Sequence, residues 1–149
     1  MDRTMTPVFS GTLSRRRSAE ATIRLIVEKS GVFAFERFLD RIDFVLPSER
    51  LRLKLAACEI YDNLLRHAVP LVDGTAVIRV SRRNGTLYVG FHFKSPSFAA
   101  YSLRTGDHDP VFDRTSRRWH GMGLRMVRKL STSLVFRAGE LCDRVFIRF

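Results

Sequence analysis

The spacing of apolar and polar positions changes several times along the chain, and each change marks an element. Thr22 to Glu28 (TIRLIVE) is β-branched and reads as a strand, although Ile23, Ile26 and Val27 also share one helical face. Ser30-Gly31 breaks either element. From Val32 to Ile42, Phe33, Phe38, Leu39 and Ile42 recur at intervals that predict a short amphipathic helix. Pro47-Ser48 opens the clearest helix, with Ser48 as expected N-cap and Glu49 in the first turn, running to about Ala68 ahead of Pro70. Leu53, Ala57, Ile60 and Leu64 draw one apolar stripe along it. Glu59 and Asn63, one turn apart, share a neighbouring face, so a carboxylate and an amide project together at the margin of the core.

Ala76 to Ser81 and Leu87 to Phe93 alternate as strands, and Arg82-Arg83-Asn84-Gly85 between them carries the Asn-Gly signal of a hairpin. Residues 94–120 are rich in Ser, Gly, Asp, Pro and Arg with scattered apolar groups, which predicts a long, lid-like loop. Gly121-Met122-Gly123 then precedes Leu124, Val127 and Leu130 at helical spacing, and Leu134 to Arg137 and Arg144 to Phe149 close the chain as two strands. Residues 1–17 lack such a pattern and read as an N-terminal arm or short edge strand, leaving residues 18–149 as one domain. The order predicts an α+β fold: a two-layer sandwich of a mixed or antiparallel sheet with helices on one face. Strands and helices do not alternate regularly, which disfavours a Rossmann fold.

Composition fits one folded domain: 17.2 kDa, with 45% hydrophobic and 28% charged residues. A formal net charge of +11 and a pI near 10.9 suit a nucleic acid or an acidic protein as partner. No tail holds the excess, which is +2 over residues 1–50, +4 over 51–100 and +5 over 101–149. From Gly74 through Gly106 there is no Asp or Glu, while Arg79, Arg82, Arg83, Lys94 and Arg104 fall in that stretch. Cys58 and Cys142 lack the spacing of a disulfide framework or zinc site and are expected as small core fillers. His92, His108 and His120 lack metal-ligand spacing, Asp107, Asp109 and Asp113 lack the order of a calcium loop, and Trp119 reads as a core anchor. Neither a signal-peptide run nor a bilayer-spanning run is visible, so a cytoplasmic location and no membrane partner are expected.

At LAACEIYDNLLRHA (residues 55–68) and WHGMGLRMVRKL (residues 119–130) the sequence resembles the GHKL ATPase superfamily, with its Bergerat, histidine kinase-like ATPase fold. The nearest branch is that of the bacterial anti-sigma-factor serine/threonine kinases. Glu59, Asn63, His67 and Ala68 match the first box, and Gly121, Gly123 and Leu124 match the later glycine box. Neither box is specific alone: Glu and Asn four apart usually make a solvated helix face, and Gly-Met-Gly is usually a turn. Their order and combination, over roughly residues 20 to 149, carry the resemblance. It implies ATP and Mg²⁺ as cofactors, Glu59 as general base, Asn63 as an oxygen ligand to nucleotide-bound Mg²⁺, and Gly121, Gly123 and Leu124 as the phosphate-binding turn. Residues 94–120 take the place of the ATP lid.

The family's middle box, Asp-x-Gly-x-Gly, falls on Phe93-Lys94-Ser95-Pro96-Ser97 and is broken. Phe93 replaces the carboxylate that accepts from the adenine amino group, and Ser95 and Ser97 replace both glycines. The acid-free stretch supplies no substitute at a nearby register. The resemblance thus implies an anti-sigma-factor-like regulator of a partner-switching pathway, with a sigma factor and an antagonist protein as partners and homodimerisation as an expectation. The broken box sets two alternatives beside an active kinase: a pseudokinase acting only by protein binding, and a basic nucleic-acid-binding module. No upstream phosphoacceptor helix pair fits in the length for a histidine kinase, and a topoisomerase or chaperone ATPase needs further domains.

Overall fold

The computed structural model describes residues 18–104, 111–115 and 118–149. The arm proposed for residues 1–17 lies outside them. The elements run β1 (Ser18–Ile26), α1 (Gly31–Asp40), α2 (Pro47–His67), β2 (Thr75–Arg83), β3 (Thr86–Phe93), α3 (Phe98–Arg104), β4 (Val111–Asp113), β5 (Arg118–His120), α4 (Met122–Leu130), β6 (Ser133–Arg137) and β7 (Asp143–Arg148).

The β2–β3 hairpin turns on Asn84 and Gly85, whose φ values of 50° and 83° are both left-handed, as a two-residue turn matched to strand twist requires. Further pairing builds a five-stranded sheet in the order β1-β2-β3-β7-β6. Every pairing is antiparallel, so the sheet is antiparallel rather than mixed. Strand alternation buries one face, with Ile78 and Val80 of β2, Val89 and Phe91 of β3, and Val145 and Ile147 of β7 in the core. The positions between them are mostly half-buried or exposed, so the helices cover one face only. No helix among the described residues is long and apolar enough to cross a membrane.

Helix α2 is the spine of the second layer. Leu53, Ala57, Ile60 and Leu64 are buried as its stripe predicts, joined by Ala56 and Tyr61. Tyr61 stacks on Phe35 of α1 and donates from its hydroxyl to the carbonyls of Ile26 and Glu28, tying α2 to the end of β1. Ser48 is not the N-cap. Pro47, with fixed φ and no N–H, takes the first helical position and moves the cap to Leu46. The Leu46 N–H then donates to Glu49 Oε2 at 3.2 Å, so a carboxylate in the first turn caps the helix. Burial pushes the Glu49 pKa up, but hydrogen bonds from Arg82 and the Leu46 backbone outweigh it and hold the carboxyl below its ordinary value.

The 94–120 segment is not a structureless loop. It holds α3 and an antiparallel pair, β4 with β5. Phe98, fully buried, anchors α3 beneath the aromatic rings of its neighbours, an apolar signal that the surrounding Ser and Pro residues obscure. Cys58 and Cys142 are free and partly buried; Cys58 packs against the core as expected, whereas Cys142 is not part of it. Cys58 lies beside the α2 stripe, where burial, with a smaller push from Glu36, raises its thiol to about 11.

Candidate functional site

Asn63 lies one turn beyond Glu59 on α2, and its amide nitrogen donates to the Glu59 carbonyl (3.0 Å) and to Glu59 Oε1 (3.3 Å). A carboxylate and a carbonyl only accept, so this contact fixes the amide's orientation and leaves Asn63 Oδ1 without a partner among the described residues. Burial and then Asp62 push Glu59 above its ordinary pKa, against smaller opposing effects of Arg66 and Asn63. A carboxyl shifted in this direction is a better proton acceptor than a free one.

Helix α4 meets α2 at Glu59. Gly121 precedes α4 with φ 86°, a conformation that favours glycine. Gly123, inside the first turn, has no such φ and is required for a different reason. A Cβ placed on it would fall on the Glu59 carboxylate, with Cγ 2.9 Å away. The structure therefore gathers Glu59, Asn63, Gly121 and Gly123 in one place. The anion resting on the first turn of α4 is Glu59 itself, at the helix end that favours negative charge. Leu124 is partly buried and packs on the core, so its side chain anchors α4.

This contact gives a double-mutant test. Gly123→Ala should cost about 1–3 kcal/mol by overpacking. In a Glu59→Ala background the same change should cost nothing or stabilise by a few tenths, since alanine is the better helix former. Urea denaturation of the four proteins reads the coupling; equal Gly123→Ala effects in both backgrounds would rule the contact out.

Phe93, Ser95 and Ser97, the positions set against Asp-x-Gly-x-Gly by the sequence resemblance, are engaged in packing and hydrogen bonds. Phe93 is 5% exposed and meets Phe98 edge-on, with ring centroids 4.9 Å apart. Phe98 contacts Tyr101 and Phe136, and Tyr101 stacks on His67 at 5.0 Å. Ser95 Oγ donates to the Ala68 carbonyl (2.5 Å) and Ser97 Oγ to the His67 carbonyl (2.8 Å). Both are terminal carbonyls of α2 that its own backbone cannot satisfy. The serines thus pin the strand end to the helix end, which glycines cannot do.

Two residues not singled out in the sequence belong here. Asp143, at the start of β7, pairs in register with Phe93 and is 1% exposed. It accepts from Ser95 N (2.9 Å), Gly139 N (3.1 Å) and Lys94 Nζ (3.3 Å). This carboxylate reaches the box from elsewhere in the chain, but it is enclosed and already occupied by these donors. Tyr101 is the second. Its hydroxyl is buried without a hydrogen-bond partner among the described residues, and burial, reinforced by Glu59, pushes it up to about 12.

His92 sits on the uncovered sheet face, His108 lies outside the described residues, and the side chains of Trp119 and His120 are likewise outside them. Among the described residues no group of three or more His, Cys, Asp or Glu side chains is placed to hold a metal ion. A hard cation at Asn63 Oδ1 would therefore take the rest of its shell from water or from phosphate oxygens. No protein-family model matches the chain, and no curated protein matches it.

Proposed function

We propose that the chain is a GHKL-type regulatory domain of the Bergerat fold that acts by binding proteins in a partner-switching pathway, as an anti-sigma-factor-like pseudokinase. It sequesters a sigma factor and releases it on exchange with an antagonist protein. The observation that carries the non-catalytic half of this reading is the fate of the middle box: Phe93 is buried against Phe98, and Ser95 and Ser97 are committed to the end of α2. Adenine does not fit that chemistry, because a phenyl ring offers no acceptor to an amino group and Asp143 has no exposed oxygen to replace it. Part of the phosphate end remains. Asn63 Oδ1 can offer an oxygen to a phosphate-bound Mg²⁺ beside the Gly121–Gly123 turn, although Glu59 already rests on the first turn of α4 and repels a phosphate there. The antiparallel sheet with helices on one face is compatible with the Bergerat assignment.

Isothermal titration with Mg-ATP and Mg-GTP tests the reading. The expected result is no micromolar binding of either, and equal weak binding at millimolar concentration through the triphosphate. Micromolar binding selective for adenine would overturn it and return Glu59 to the role of general base. Co-purification from the native host should recover a sigma factor or its antagonist.

A further inference from the structure

We propose that the uncovered face of the five-stranded sheet binds single-stranded nucleic acid. This site is separate from the Glu59 cluster and does not depend on the function proposed above.

The register assembles a surface that the linear charge pattern hides. One row across all five strands reads Arg24, Val77, His92, Arg144, Arg137. In the next two rows, Phe146 lies across Gly90 from Arg79, and Tyr88 lies directly beside Arg148. Arg83 extends the positive field at the hairpin end. Against these exposed guanidinium groups the described part of the face sets one carboxylate, Glu20, which pairs with Arg79 (3.2 Å) and Arg83 (4.0 Å). Arg137, Arg144 and Arg148 have no carboxylate partner among the described residues. Asp143 does not neutralise them, since strand alternation turns it to the covered side, where it is buried.

The middle of this face is aromatic. Phe146 meets His92 edge-on with centroids 5.6 Å apart, and a Cβ on Gly90 would lie 3.2 Å from the Phe146 ring and 3.1 Å from His92 Nε2. The missing side chain at Gly90 is what lets the two rings lean together. Burial, then Arg79 and Arg144, lower the His92 pKa, so the imidazole is a neutral ring among cations. Tyr88 and Phe146 are half-buried, each with surface left to meet a ligand.

Guanidinium groups around a central platform of rings match a ligand that carries phosphates and unpaired bases together. In a duplex the base faces are stacked away from a flat sheet, so the rings would go unused. An acidic polypeptide would satisfy the arginines and leave the rings without partners. The chain's first 17 residues, with four arginines and one aspartate, have the wrong sign to cover this face.

Fluorescence anisotropy on the full chain, without nucleotide, tests the proposal with a labelled 12-nucleotide single strand, the matching duplex and polyglutamate. The single strand should bind in the micromolar range at 50 mM salt, and at least tenfold more tightly than the other two. Replacing Arg137, Arg144 and Arg148 together by Gln should reduce the log–log salt slope by about 2, at about 0.7 for each phosphate no longer neutralised. The triple Lys variant should retain the slope. Tyr88→Leu and Phe146→Leu should each weaken binding about tenfold or more while leaving the slope in place. Circular dichroism confirms that each variant is folded. Absence of binding at 50 mM salt, equal affinity for duplex or polyglutamate, or an unchanged slope in the Gln variant would each overturn the proposal. None of these results bears on the Mg-ATP titration, so the two readings fail separately.

Discussion

Phe93→Asp, which places an acid where the resemblance to the GHKL superfamily calls for one, is expected to abolish cooperative folding. Phe93 is 5% exposed and packs edge-on against the fully buried Phe98. Truncating such a ring costs about 3–5 kcal/mol before any charge is considered. The new carboxylate would also stand directly across the β3–β7 ladder from Asp143, on the same covered face. Like charges opposed on neighbouring strands repel, and an enclosed carboxylate without its own donors costs several kcal/mol more. Lys94, the cation beside this point, is already engaged with Asp143 and the Gly139 carbonyl. Against a total stability of about 5–15 kcal/mol for a domain, the sum removes most or all of the margin. Phe93→Leu, which keeps the site apolar, should cost only about 1–2 kcal/mol. Thermal and urea unfolding at neutral pH measure both. A cooperatively folded Phe93→Asp protein with micromolar Mg-ATP affinity would mean that the box lacks only its acid, and the pseudokinase reading would fall.

The contrast between the two boxes explains what the sequence could and could not disclose. Glu59, Asn63 and the α2 stripe were legible because a helix fixes the relation of residues three and four apart, whatever surrounds it. The hairpin was legible because Asn84-Gly85 names its own turn. Phe93, Ser95 and Ser97 were visible as departures from the Asp-x-Gly-x-Gly pattern, but the contacts they make were not. The serines meet carbonyls 27 and 30 residues away, across a junction that exists only once β3 reaches the end of α2. Asp143 was silent for the same reason: its link to Phe93 needs β7 to lie beside β3, a neighbour relation that crosses the chain. Helix α3 is only seven residues long, and its Phe98-Ala99-Ala100-Tyr101 start was hidden between Ser95-Pro96-Ser97 and Thr105-Gly106, which favour loops. Charge was legible as a total of +11 but not as a surface, because the register alone brings Arg24, Arg144 and Arg137 into one row.

Asp143→Ala should cost about 3 kcal/mol, a fall in Tm of roughly 6–12 °C for a chain of this size. The carboxylate holds the β6–β7 connection through Gly139 N and the end of β3 through Ser95 N, and it faces Lys94 Nζ at 3.3 Å. Removing it leaves two backbone N–H groups without acceptors at a site that is 1% exposed, each a loss of about 1–3 kcal/mol if water does not enter. Asp143→Asn is the sharper test. An amide has one acceptor oxygen where the carboxylate has two, so its NH₂ must point at one of the two backbone donors, and the charge facing Lys94 is gone. The near-isosteric variant should therefore lose about 2 kcal/mol or more, with little relief from conserved volume. Lys94→Met should lose less than either, because the lysine side chain is 31% exposed and water can share in solvating this pair. If the Asn variant unfolds at the parent's urea midpoint, the carboxylate is not fastening the two segments. If the order is Ala, Asn, then Met, the buried acid acts as a structural clamp between the end of β3 and the β6–β7 connection.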